Sequence, residues 1–219
     1  MSRILEPLPP SVLAVRRLPD ASDAVLRGYG ADPARHRSLG LVTCDQDDAL
    51  YVALDEATKH AGVDVVFARS FYAGAGHASG PLSGEILGVV AAPDPAEIDE
   101  GLAALLRCLE HDACFYAADE AGSTAVFPHV ITSLGHYLSA EAGLPVGDPM
   151  AYLVAPPIEG TLALDAALKA ADVRAVKVFA PPTETNFAAA WLTGSLADCE
   201  AAAMAYAEAV VEAARNPRG

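Results

Sequence analysis

The sequence predicts an α+β fold made from two copies of one pattern, and three observations carry that prediction. "LDEATKHAGVDVVFA" from Leu54 is echoed by "LDAALKAADVRAVKV" from Leu164, with Asp55 and Asp165, Lys59 and Lys169, and Val63 and Val173 all 110 residues apart. Two amphipathic helical segments further on, beginning at Asp94 and Ser195, recur at an offset of 101. Strand-like and helix-like stretches interleave without long crossovers, and no G-x-G-x-x-G or P-loop is present. That combination favours a layered α+β sandwich over a doubly wound nucleotide-binding sheet.

Taken in order, "SVLAVRRLPDASDAVLRGYG" places structure ahead of the first copy, and the apolar run over 38–44 reads as its first strand. A helix follows through "LDEATKHAG", then a strand near 64–70 and another near 84–92. In "APDPAEIDEGLAALLRCLEHD", Asp94 caps a helix, Pro95 takes its first position and Glu97 completes a capping box. Ile98, Leu102, Leu105 and Leu109 then share one face. The second copy is preceded by "AVFPHVITSLGHYLSAEAG" and carries strands near 151–156, 174–180 and 188–193. In its last helix Ser195 is the cap, Asp198 takes the place of Glu97, and Cys199, Ala203, Tyr206 and Val210 form the face.

The offset falls from 110 to 101, so the first copy holds about nine extra residues. They fall in "FYAGAGHASGPLSG", residues 71–84, whose glycines, serines and Pro81 mark a loop. Domains are expected at 1–112 and 113–219.

The chain has 219 residues, 53% of them hydrophobic, which is enough for a real core. A formal net charge of −15 argues against nucleic acid and suits neutral or cationic small-molecule partners. No apolar run reaches the length of a membrane span, and "MSRILEPLPPSV" does not read as a signal peptide. Cys44, Cys108, Cys114 and Cys199 are scattered without a C-x-x-C pair, as expected of reduced thiols. Alanine is abundant and aromatics are only 6%, which suits close helix packing.

One stretch stands out chemically. "TCDQDD" crowds Asp45, Asp47 and Asp48 at a strand end, which reads as a solvated turn, a metal site or a cation site. A calcium loop counted from Asp45 fails at Ala49 and Leu50, where an oxygen ligand and a glycine are required. His77 could add an imidazole to the carboxylates, so a metal is left open. Glu85 opens an apolar strand, and Thr185 and Asn186 offer neutral donors and acceptors. No G-x-S-x-G elbow or H-E-x-x-H helix is present, so no catalytic residues and no cofactor are expected. Two other readings remain at this point. One is a metal-dependent enzyme using Asp45, Asp47, Asp48 and His77. The other is a duplicated small-ligand regulatory module.

The duplication, the loop and the acidic stretch together resemble the EutL family of ethanolamine-utilisation microcompartment shell proteins. "RSLGLVTCDQDDALYVALDEATKHAGVDVVFARSFYAGAGH", "GDPMAYLVAPP", "DAALKAADV" and "PPTETNFAAAWLTGS" carry the resemblance, which runs from about Pro10 to Asn216. It implies two tandem, circularly permuted bacterial microcompartment (BMC) domains. It also implies a homotrimeric, pseudo-hexameric tile that joins other shell proteins around the ethanolamine-degrading enzymes, in the cytoplasm and away from membranes. A central pore at the trimer axis that opens or closes is part of the expectation, with residues 71–84 as the moving element. So are small pores within each subunit that bind ethanolamine. By motif, that ligand would be met by Asp47, Asp48, Arg69, His77, Glu85, Phe115 through its backbone, Thr185, Asn186 and Phe187. Asp45 is given no role.

Overall fold

A computed structural model describes residues 5–70, 86–181, 183 and 186–218. The chain divides into two compact units. The N-terminal unit comprises Pro9–Ala113 and takes in Gly135–Glu141; the C-terminal unit comprises Met1–Leu8, Cys114–Leu134 and Ala142–Gly219.

In the N-terminal unit the order is β2 (Val12–Leu18), α1 (Asp23–Gly28), β3 (Ser38–Cys44), α2 (Asp47–His60), β4 (Asp64–Ser70), β5 (Ile86–Ala92) and α3 (Pro95–His111). Its antiparallel sheet runs β2-β3-β5-β4. The C-terminal unit begins with β1 (Pro7–Leu8), which pairs with β6 (Phe115–Ala117). Along the chain the same order then repeats: β7 (Ala125–Ile131), α4 (His136–Ala142), β8 (Met150–Ala155), α5 (Pro157–Ala170), β9 (Arg174–Phe179), β10 (Ala188–Thr193) and α6 (Leu196–Arg215). All of these but α4 build the C-terminal unit, whose antiparallel sheet runs β1-β6-β7-β8-β10-β9. The predicted α+β class and the strand positions of both copies are observed. Of the nine assigned ligand positions, His77, Glu85 and Thr185 lie outside the described residues, as does the expected loop at 71–84.

The repeat reaches further back than its sequence signal. β2 and β7, and Gly30 and Gly143, keep an offset of 113. Both glycines have positive φ (82° and 65°) and follow a short helix, α1 in one copy and α4 in the other. The Ala21 N–H donates to the Arg37 carbonyl as the Leu134 N–H donates to the Asp148 carbonyl.

The helix starts follow the sequence, with one correction. Asp94 accepts the N–H groups of Ala96 (2.9 Å) and Glu97 (3.2 Å), and Pro95 opens α3. Glu97 does not close a capping box. Its carboxylate accepts the Gly62 N–H at 2.5 Å, in the turn between α2 and β4. Asp198 makes the matching contact in the second copy, accepting the Asp172 N–H at 3.4 Å while Ser195 caps α6. The acidic residue at this place staples its helix to the neighbouring turn, because that turn leaves a backbone donor unpaired by the sheet.

Each sheet buries one face against two helices. In the N-terminal unit a side chain at Gly88 would stand 2.9 Å from Leu54 Cδ1, so α2 lies directly on β5 there. The other face gathers Leu39, Leu41, Leu87, Val89 and Ala91 around Leu26 of α1. In the C-terminal unit Ala151, Leu153, Ala155, Ala190 and Leu192 meet Ala163 and Ala167 of α5 and Ala202, Ala203, Tyr206 and Val210 of α6. The alanines let these helices approach closely, and Tyr206 supplies the bulk.

Candidate functional site

The acidic stretch is not a solvated turn. Asp45 and Gln46 form the connection, and Asp47 and Asp48 are the first two residues of α2, both buried. Asp45 is a structural tie. Its Oδ1 accepts the Ser11 N–H at 2.7 Å, and its own N–H donates to the Ser11 carbonyl at 3.3 Å. These two bonds hold the end of β3 to the segment entering β2.

Asp47 and Asp48 stand where unpaired N–H groups and the helix dipole favour negative charge. Asp47 Oδ1 accepts the Asp48 N–H at 2.9 Å, and the Ser70 hydroxyl also donates to Asp47. Ser70 is brought there by sheet register, since Cys44, Ile86 and Ser70 pair across β3, β5 and β4. Burial outweighs these donors and raises the Asp47 carboxyl above its ordinary value. Nearby, the Cys44 thiol donates to the Gln46 carbonyl (3.0 Å) and is pushed up to about 12 by burial.

Arg69 is not directed at the acidic pair. Successive strand residues face opposite sides of a sheet. Arg69 is exposed and its guanidinium lies 5.8 Å from the ring centre of Phe67, a residue packed on the α1 side.

Phe115, Asn186 and Phe187 belong to the C-terminal unit. Phe115 meets Phe187 edge-on at 6.1 Å and Phe127 at 4.9 Å. A row of rings continues through Tyr152 and Trp191 to Phe179 across β6, β7, β8, β10 and β9. Asn186 is exposed with φ 62°, a conformation asparagine tolerates. Its N–H donates to the Thr183 carbonyl (3.3 Å), and the Thr183 hydroxyl donates to the Phe187 carbonyl (2.8 Å), which forms a tight turn before β10.

Among the described residues no three His, Cys, Asp or Glu side chains come together as a metal site. Sequence reasoning missed Ser70 and Ser11, and no spacing could have shown them, because both reach the acidic stretch only through sheet pairing.

Residues 38–112 match the BMC domain family. The bacterial microcompartment shell protein EutL of Clostridium perfringens is 51% identical over 210 residues, covering 96% of each chain. EutL of Salmonella typhimurium is 49% identical over 213 residues, covering 97% of each. The crystal structure of the ethanolamine utilization protein EutL from Leptotrichia buccalis superposes with a TM-score of 0.94 at 48% identity, covering 99% of each chain.

Proposed function

Because the chain belongs to the EutL family of bacterial microcompartment shell proteins, we propose that it serves as a trimeric, pseudo-hexameric tile in the shell of an ethanolamine-utilisation microcompartment in the cytoplasm. Its role is structural, not catalytic. The domain assignment behind this tile is 1–112 and 113–219, and a central pore gated through residues 71–84 belongs to the same proposal.

The tile carries a cation site at Asp47 and Asp48, and its ligand is protonated ethanolamine. The observation that supports this is the buried acidic pair opening α2. The second copy has Pro157 and Ile158 at the same helix start, so the acidic pair serves one copy only and is not a requirement of the fold. Ethanolamine is cationic at neutral pH, and carboxylates in a low-dielectric setting bind an ammonium group through charge-assisted hydrogen bonds. Acidic linings select cations in pores by the same physics, and a conduit must bind weakly enough to release. Of the other positions that the resemblance assigns, Arg69 faces the opposite side of its strand from Asp47 and stands outside this site; His77, Glu85, Phe115, Thr185, Asn186 and Phe187 are each to be tested by their own substitution.

Calorimetric titration of the purified oligomer with ethanolamine tests the site. Asp47→Asn and Asp48→Asn should each weaken binding about tenfold, the equivalent of one charge-assisted contact, while the oligomer persists. Unchanged affinity in both variants removes the assignment.

A further inference from the structure

A cavity of about 500 Å³ opens in the N-terminal unit, at the other end of α2 from the acidic pair. The end of α2, the start of β4, the turn ahead of β3 and the first residue of α4 form its wall.

Two charges of opposite sign meet there. Arg35 donates from Nη2 to Asp64 Oδ2 at 2.8 Å. His36 is 5% exposed, and the Asp32 N–H donates to its Nδ1 at 3.1 Å. That bond leaves the ring proton on Nε2, which donates to the same Asp64 oxygen at 2.9 Å. A buried imidazole held in one tautomer thus fixes the carboxylate, and the carboxylate fixes the guanidinium. Among the described residues Asp64 Oδ1 and the remaining N–H groups of Arg35 have no partner. Each member of the ion pair is half used and half open.

His136 adds an exposed imidazole to the wall. Its backbone N–H donates to Thr58 Oγ1 (3.0 Å), and the Thr58 hydroxyl donates to the Asp55 carbonyl (2.7 Å), which holds the residue in place. Ala61, Val63 and Pro93 supply an apolar part of the lining.

These groups are not a requirement of the fold. At the offset of 110 the second copy has Leu168 for Thr58 and Arg174 for Asp64, and residues 144–149 ahead of β8 include no histidine or arginine. Asp165, the counterpart of Asp55, is exposed, and among the described residues no segment of the chain covers it.

We propose that this cavity binds a small α-amino acid in its zwitterionic form. The open N–H groups of Arg35 take the α-carboxylate, for which a planar guanidinium is matched, and Asp64 Oδ1 accepts the α-ammonium group. His136 supplies a further donor to the carboxylate. The ion pair carries no net charge and neither does the ligand, so the chain's charge of −15 does not oppose binding as it opposes a simple anion. Ala61, Val63 and Pro93 offer contact but no polar partner, which suits a short aliphatic side chain. A ligand with only one of the two charged groups leaves half of the site unpaired. The site is separate from the acidic pair and does not rest on the function proposed above.

Saturation-transfer NMR on the full chain with L-alanine tests it. L-alanine should give a saturable signal. Acetate lacks the ammonium group and ethanolamine lacks the carboxylate, so each should displace L-alanine only at concentrations at least about tenfold higher, the equivalent of one charge-assisted contact. Arg35→Gln and Asp64→Asn should each weaken L-alanine by at least about tenfold with the circular-dichroism spectrum kept, and Asp47→Asn should leave it unchanged. The wild-type selectivity reads the site even where a variant fails to fold. No saturable signal from L-alanine, displacement by acetate at equal concentration, or an affinity kept in both cavity variants overturns the inference.

Discussion

The carboxylate of Asp55 accepts the backbone N–H of Leu138 at 2.8 Å, joining residues 83 positions apart in the sequence. Asp55 has no exposed surface, and its second oxygen accepts the Gly135 N–H. Burial raises its carboxyl above the ordinary value, while these two donors and Lys59 act in the opposite direction. Asp55→Ala strands two backbone donors and should cost about 3 kcal/mol in urea unfolding, since each unpaired buried donor costs roughly 1–3 kcal/mol. Gly135→Ala forces a methyl group against Thr58 Oγ1 and the Asp55 carbonyl and should cost a similar amount.

Asp47 should trade stability for binding. Its folded carboxyl lies above the unfolded value, so its favourable contribution is complete only below the unfolded pKa, near 4, and is lost as pH rises through the folded value. Once ionised, Asp47 therefore opposes folding. At pH values above its folded pKa, Asp47→Asn should raise the melting temperature by a few degrees, about 1 kcal/mol, and the gain should vanish toward pH 3. Wild-type affinity for ethanolamine should rise with pH across the same window, because the ionised form binds. Thermal melts and titrations at a series of pH values check both.

Glu97 and Asp198 should act alike and independently. Each staples a helix start to the turn behind it, in separate units. Glu97→Ala and Asp198→Ala should each cost about 0.5–1.5 kcal/mol, the net value of one hydrogen bond. The double variant should lose the sum to within about 0.5 kcal/mol, as expected of sites that share no partner. Chemical denaturation of the four proteins measures this.

Thiol chemistry should single out Cys114. Cys44, Cys108 and Cys199 are buried, and burial pushes Cys44 and Cys108 up to about 12, which removes the reactive thiolate. Cys114 is half-buried. Titration of the native protein with a thiol reagent at pH 8 should therefore modify one thiol per chain quickly, and all four only after denaturation.

Gly88 should tolerate no side chain. Gly88→Ala puts a methyl group 2.9 Å from Leu54 Cδ1 and 3.3 Å from Leu50 Cδ2, where α2 already lies against the strand. Overpacking of this kind costs about 1–3 kcal/mol, readable as a lower melting temperature with the fold retained.

The sequence by itself determined the α+β class, the duplication, the strand before and the two strands after the acidic or proline-rich turn of each copy, and the caps at Asp94 and Ser195. These are short-range properties: alternation, helical spacing and a polar residue before an apolar run leave their mark on neighbouring residues. It also singled out Asp47 and Asp48, because crowded like charges are visible as letters. Only the tertiary structure decided that those carboxylates open a helix and are buried, since burial depends on what lies above a residue. It decided that Ser70 reaches Asp47 and that Arg69 does not face it, because strand pairing and side-chain alternation fix both. It turned Glu97 from a cap partner into a staple on Gly62. It also showed Asp55 and Asp165 to be unlike, although the sequence writes them in the same phrase: one lies under a segment that the chain supplies, and the other faces outward with no described segment of the chain above it.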